Sequence, residues 1–225
     1  MENPQKCVVL VSGGMDSCVT SGLAIQQNYT PAFLHVNYGQ LTENRERKAF
    51  RDITRYYSVN ETLEIDLSYF KEIGGSCLTD SSIIVPKANL ESNDVPISYV
   101  PFRNANLLSI AVSWSEVIGA NAIFIGAVEE DSSGYPDCRR SFYDAFEHAI
   151  REGTRPGTNL RILTPIIGMS KKEIILVGQK INSPLHLTWS CYKNEELPCG
   201  ECDSCVLRAR GFEQAGIPDP ILTVG

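Results

Sequence analysis

Along the first 125 residues, short unbroken apolar runs closed by turn-forming residues alternate with longer stretches whose apolar positions recur every three or four residues. Residues 7–11 (CVVLV) form one such run, too short for a helix and rich in β-branched side chains, which predicts a strand buried on both faces. Similar runs predict strands over 32–36, 62–65 and 122–125, and the periodic stretches predict helices over 16–27, 44–57 and 105–118. Ser170 and Glu173 have the spacing of a capping box, opening a helix to about residue 181. Residues 74–101, rich in serine, asparagine, aspartate and proline, predict irregular chain. The order β, α, β, α, β implies a parallel sheet with helices on both faces, an α/β Rossmann-like fold. From residue 190 the texture changes to cysteines, glycines and short polar spacers. The expected organisation is an α/β domain over 1–187 and a small C-terminal segment over 188–225 packed on it.

Composition narrows the classes. With 43% hydrophobic and 21% charged residues the chain is ordinary for a soluble globular protein, and no apolar run approaches the ~18–20 residues that span a bilayer. The start, MENPQKC, lacks a basic region followed by an apolar stretch, so a cytosolic location is expected. Eight cysteines in a reducing compartment then read as thiols or metal ligands rather than disulfides. A net charge of −7 argues against a broad nucleic-acid surface.

The first strand runs into SGGMDS, Ser12 to Ser17, at the start of a predicted helix. A glycine turn there leaves backbone N–H groups free to cradle phosphate oxygens. The lysine of GxxxxGK[ST] is missing, and the string is not GxGxxG. Gly13 and Gly14 permit close approach, and the Ser12 and Ser17 hydroxyls can donate to phosphate. Asp16 cannot donate while ionised, and phosphates repel it unless magnesium lies between, so a metal–nucleotide complex is the natural ligand. The plainer reading of Asp16 is complementation of the helix dipole.

Cys191, Cys199, Cys202 and Cys205 are spaced C-x7-C-x2-C-x2-C. Spacing and ligand softness favour a closed tetrahedral zinc site over an iron–sulfur cluster, and four thiolates leave no position for water, so the metal is expected to be structural. Cys7, Cys18, Cys77 and Cys138 default to small buried residues, Cys138 alone lying among polar neighbours. His35, at a strand end, reads as a packed core-edge residue, and His148 and His186 carry no signal.

SGGxDS after a first strand resembles the pyrophosphate loop of enzymes that split ATP between its α and β phosphates and adenylylate a substrate. With NYGQ (37–40), SYVPFRN (98–104), DSSGYPDCR (131–139), LTPIIGMSKKE (163–173), TWSCY (188–192) and the cysteine segment through Gly216, the chain resembles the 7-cyano-7-deazaguanine synthase family from Val8 to Pro218. The resemblance implies an adenine nucleotide alpha hydrolase-like fold and an ATP-dependent ligase. That ligase converts 7-carboxy-7-deazaguanine and ammonia to the nitrile through an amide, consuming two ATP and releasing AMP and pyrophosphate. It also implies a homodimer with no direct nucleic-acid partner. On matching positions, Leu10, Val11, Ser12, Gly13, Gly14, Met15, Asp16 and Ser17 would hold ATP and magnesium. Ser12, Asp16, Ser17, Arg103 and Lys171 would serve catalysis. Tyr38, Gln40, Arg103, Asn104, Asp131, Tyr135, Asp137 and Arg139 would bind the substrate.

The residues support that chemistry on their own terms. Bringing a carboxylate to the α-phosphate gathers negative charge, so cations are needed, and Arg103, Arg139 and Lys171 are the candidates. A deazaguanine ring offers paired donors to a carboxylate, either Asp131 or Asp137, with Tyr135 able to stack on it. The same stretch also reads as a tight surface turn capped by aspartates. After Gln40 the family pattern commonly continues with a basic residue, a histidine and a glutamate, whereas this chain has Leu41 and Thr42 before ENRERK. The rival reading is a pyrophosphate-loop enzyme that adenylylates and thiolates tRNA. It would need an RNA-binding surface and a free cysteine pair, against the acidic balance and the committed cysteines.

Overall fold

The computed structural model describes residues 4–91, 94–129 and 134–222. Five parallel strands, β1 (Lys6–Leu10), β2 (Thr30–Asn37), β3 (Thr62–Asp66), β4 (Ala122–Ile125) and β5 (Arg161–Leu163), stand in the order β3-β2-β1-β4-β5. Among the described residues the helices are α1 (Met15–Gln26), α2 (Glu43–Tyr56), α3 (Tyr69–Ile73), α4 (Arg103–Ile118), α5 (Arg140–Gly153), α6 (Lys171–Lys180) and α7 (Asp203–Ala215). The expected parallel sheet is present, with the additional strand β5 at one edge and the additional helices α3, α5 and α7.

Strand period two divides the core. On β1, Val8 and Leu10 face one side and pack with Leu34, Ile123 and Ile162 under Leu108 and Ala111 of α4 and Tyr143 and Ile150 of α5. Cys7 and Val9 face the other, with Phe33 and Phe124, under Cys18 and Ala24 of α1 and Phe50 and Ile53 of α2. Both faces are covered, which is why β1 reads as a continuous apolar run. The pairing of Val8 with Ala32 on one side and Ile123 on the other makes β1 the central strand, from which the chain winds first towards β3 and then back to β4. At that reversal the carboxyl ends of adjacent strands open a crevice, the usual ligand position in such sheets.

A third cluster covers this end of the sheet. Cys77, Leu78, Val85 and Val100 of the irregular stretch pack with Tyr38 and Phe70 against Trp189, Cys191, Cys202 and Cys205. The Ala88 amide donates to the Glu201 carbonyl at 2.8 Å. The cysteine segment thus shares a core with the rest of the chain.

Candidate active site

The turn after β1 takes the form its sequence suggests. Gly13 has φ +91°, and a Cβ there would lie 2.6 Å from the Glu46 carbonyl oxygen and 3.0 Å from Ala49 Cβ, so glycine is required both by conformation and by space. Its carbonyl accepts from the Trp189 amide at 2.9 Å. Gly14 is extended and begins α1, which has no side-chain cap. The first-turn amides of α1 therefore remain available to an anion. The two serines wait beside them: Ser17 Oγ donates to the Gly14 carbonyl (3.0 Å) and lies 3.2 Å from Ser12 Oγ, which accepts from the Gly14 amide. Gly126, just after β4 and in the cavity lining, packs directly on this turn, since a Cβ there would come within 2.8–2.9 Å of the Asp16 and Ser17 backbone.

Asp16 Oδ2 accepts from Lys171 Nζ at 2.6 Å, in an ion pair whose side chains are 28% and 14% exposed. The lysine is delivered by the start of α6, fixed by the expected capping box: the Ser170 amide donates to Glu173 Oε2 at 2.8 Å and Ser170 Oγ accepts from the Glu173 amide. Asp16 Oδ1 is buried with no hydrogen-bond partner. A buried carboxylate oxygen left without a donor costs free energy, which a cation can offset.

A cavity of about 290 Å³ extends from this turn across the carboxyl ends of the strands. On its far side Arg103 Nη1 donates to the Tyr38 hydroxyl at 3.0 Å, with the guanidinium 4.9 Å from the ring centroid, while Arg103 Nε is buried without an acceptor. The Asn104 amide donates to Asp137 Oδ2 (3.0 Å), and Asn104 Nδ2 donates to the Asp137 carbonyl (3.1 Å) and to Cys138 Sγ (3.4 Å). The PDC turn is thereby locked to the first turn of α4. Burial pushes the Asp137 carboxyl above its usual range, against the Asn104 hydrogen bond and the Arg103 charge. Tyr135 lies in the cavity wall with its hydroxyl 2.8 Å from Ser98 Oγ and its ring 5.5 Å from that of Tyr99.

The geometry therefore brings together Leu10, Val11, Ser12, Gly14, Met15, Asp16, Ser17, Tyr38, Arg103, Asn104, Tyr135 and Lys171 around one space. Gln40 stands behind it: its Oε1 accepts from the Tyr38 amide at 2.9 Å. Asp137 is buried behind it too, as an acceptor for α4. Arg139 is exposed at the start of α5 and does not line the cavity. Asp131 lies outside the described residues.

Sequence reading missed Glu46. It lines the cavity, with Oε2 accepting from Gln40 Nε2 (3.0 Å) and Oε1 from Thr42 Oγ1 (2.8 Å), and burial pushes its carboxyl up to about 7. It sits in a charged run that reads as a solvated face. Its position three, four and seven residues before the buried Ala49, Phe50 and Ile53 puts it on their stripe, and that was the available signal. Also unforeseen is the cavity wall made by Trp189, Ser190, Tyr192 and Ser204. Glu195 tethers it to α2, accepting from the Asn44 (3.0 Å) and Arg45 (3.3 Å) amides, and the Arg45 guanidinium lies 4.5 Å from the Trp189 ring centroid.

The sulfur atoms of Cys191, Cys199, Cys202 and Cys205 all lie within 4.8 Å of one another, and Cys199 and Cys205 are 3.9 Å apart. Tetrahedral zinc–thiolate bonds of about 2.3 Å require an edge of about 3.8 Å, so the cluster fits a single ion. Cys202 caps α7 and Cys205 is in its first turn, which makes that x2 spacing one helical turn. Cys191 Sγ accepts from the Lys193, Asn194 and Cys199 amides at 3.3–3.4 Å, as a thiolate ligand would.

Fold and site together define an α/β nucleotide-binding protein of the pyrophosphate-loop kind with a four-cysteine cluster able to hold a metal beside its cavity. Residues 6–216 match the family described as queuosine biosynthesis protein QueC, and the chain belongs to that family. It is 57% identical over 216 residues to the 7-cyano-7-deazaguanine synthase of Chlorobaculum parvum, covering 96% of this chain and 95% of that one. To the synthase of Chlorobium chlorochromatii it is 56% identical, with the same coverage of each chain. Among solved structures, a 4-thiouridine synthetase in complex with RNA and ATP aligns with a TM-score of 0.56 at 19% identity, over 97% of this chain and 52% of that one, a likeness of fold.

Proposed function

We infer that this enzyme converts 7-carboxy-7-deazaguanine and ammonia to 7-cyano-7-deazaguanine, with two adenylylations and release of AMP and pyrophosphate. The observation that carries the reading is the corner at the start of α1. There an uncapped helix end, two serine hydroxyls and Lys171 surround a carboxylate with one orphaned oxygen. Phosphates bind the amides, hydroxyls and ammonium; magnesium fits Asp16 Oδ1, and when bound it neutralises phosphate charge. Names of relatives at 56–57% identity support the same product. Nothing comparable supports the tRNA-thiolating rival.

Arg103, with Nε lacking an acceptor, receives the substrate carboxylate and holds it for attack on the α-phosphorus. Tyr38 and Asn104 orient that arginine and its turn, and Tyr135 lies against the deazapurine ring. Pairing of the ring edge falls to Asp131 of the 131–137 stretch, because Asp137 is taken up by the first turn of α4. Charge stabilisation dominates over acid–base work in the adenylylation itself, because the substrate already carries its nucleophile ionised. The cysteine cluster holds zinc, with every position filled by thiolate, so the ion is structural. The enzyme works in the cytosol as a homodimer.

Mass analysis of the deazapurine after incubation with ATP and ammonium tests the assignment. The expected products are the carboxamide and then the nitrile. Conversion that stops without nitrogen incorporation, or that requires tRNA, would reject it.

A further inference from the structure

We propose that Glu46 takes a proton from ammonium at the active site and so generates the ammonia that attacks the adenylylated carboxylate. The proposal rests on the reaction inferred above and assigns its nitrogen step to a residue that the reaction otherwise leaves without a task.

Glu46 is out of place among groups that bind anions. Nucleotide phosphates and the substrate carboxylate are all negative, and Arg103, Lys171 and the α1 amides are suited to them. A carboxylate in the same cavity needs a ligand that carries positive charge or a removable proton. In this reaction the nitrogen source is such a ligand, and it is the one left for Glu46 once magnesium is placed at Asp16 Oδ1 and the ring donors at the 131–137 stretch. Glu46 adjoins both partners of the step: its backbone packs on Gly13 of the phosphate turn, and Gln40 bonds both its Oε2 and the Tyr38 amide, beside Arg103.

The carboxyl is held for this use. Gln40 and Thr42 each donate to one oxygen, fixing the plane and leaving a second lone pair on each. When the group is protonated, the Thr42 hydroxyl can turn and accept. The charged groups facing it are Arg103 of α4, which favours the ionised form, and Glu195 of the cysteine segment, which opposes it; burial outweighs both and brings the carboxyl to about 7. A base poised there is part-ionised at neutral pH, which suits proton transfer.

The step balances. Ammonium gives one proton to Glu46, leaving ammonia and a neutral carboxyl. The ammonia lone pair forms the carbon–nitrogen bond, the acyl carbon–oxygen bond to AMP breaks, and AMP departs with that electron pair and the second proton. The carboxamide remains.

Wild type and Glu46→Gln, both as the full metal-loaded chain, are compared in three assays with the 7-carboxy substrate. Exchange of labelled pyrophosphate into ATP without a nitrogen source reads adenylylation alone. Amide formation reads ammonium, and hydroxamate formation reads hydroxylamine, which is largely unprotonated at neutral pH. The expected variant keeps exchange and hydroxamate formation within about threefold of wild type but loses about 10²-fold or more in amide formation at pH 7. The deficit should shrink as rising pH supplies free ammonia. Equal loss in all three assays, or undiminished amide formation, overturns the proposal while leaving the reaction intact. No exchange by wild type overturns the substrate assignment and the proposal with it. Where Glu46→Gln does not fold, wild type decides: the ratio of ammonium to hydroxylamine rates must follow a single ionisation near 7. A ratio that tracks only free ammonia overturns the proposal.

Discussion

Asp16 has two oxygens in different circumstances, one paired with Lys171 at 2.6 Å and one buried without a partner. A residue that merely complemented the helix dipole would gain little from such an arrangement, because that effect is worth about 0.3–1 kcal/mol at an exposed end. Asp16→Asn keeps the shape and removes the charge. It should lower kcat/KM by about 10²-fold or more through loss of charge stabilisation, with metal content and thermal midpoint essentially unchanged. A variant that loses its fold in step with its activity would return Asp16 to a capping role. His35 makes a second residue-scale case. Its ring stacks on Phe50, Nδ1 donates to the Val11 carbonyl at 2.8 Å, and Nε2 accepts from the Asn37 side-chain nitrogen at 3.1 Å. Burial lowers its affinity for a proton, so the neutral form is the folded form. Protonation then favours the unfolded chain: the stability is present above about pH 6.5 and drains as pH falls towards the folded-state value. Denaturant titrations across pH 5–8 should show the stability gap between wild type and His35→Gln narrowing below about pH 6.5. A gap that widens in acid would contradict the neutral assignment.

At the scale of elements, the active turn depends on a strand that contributes no side chain to it. Gly126 follows β4, and an added Cβ would meet Asp16 and Ser17 backbone at 2.8–2.9 Å, with no flexible side-chain end able to yield. Gly126→Ala should cost about 1–3 kcal/mol and raise the KM for ATP, since the start of α1 must shift. Calorimetry with ATP kinetics would check this; an unchanged KM would mean the turn can absorb the methyl elsewhere. SGGMDS was legible in the sequence because its chemistry is contiguous, and β1, β2 and α6 were legible because run length and capping are local signals. Gly126, by contrast, has meaning only through a neighbour more than one hundred residues away. Helix α5 was within reach, since Phe142, Tyr143, Phe146 and Ile150 recur at helical spacing. Three-residue β5 carries no period to read. The first turn of α7 was hidden because ligand spacing and helical spacing coincide at Cys202 and Cys205.

Across the whole molecule, the four-cysteine cluster and the chemistry meet in one wall. Trp189, Ser190, Tyr192 and Ser204 line the cavity from the segment that holds the four cysteines, and Trp189, Cys191, Cys202 and Cys205 share a core with Tyr38 and Phe70. These residues were not readable as site residues, because only tertiary packing returns the C-terminal segment to the carboxyl ends of the strands. Removing an ion held there would free four thiolates inside that core. Cys205→Ser should abolish stoichiometric zinc and lower the thermal midpoint by about 10 °C or more, with activity lost in parallel. Metal analysis beside a melting curve would check it, and a brown protein containing iron would overturn the zinc assignment. The central claim is that the glycine turn grips the pyrophosphate of ATP, so that the bond between the α and β phosphates is the one that breaks. The measurement that tests it most directly is the identity of the nucleotide product when purified enzyme, magnesium ATP and the carboxylated deazapurine are mixed. AMP and pyrophosphate in equal amounts are the predicted result; ADP and inorganic phosphate would contradict it.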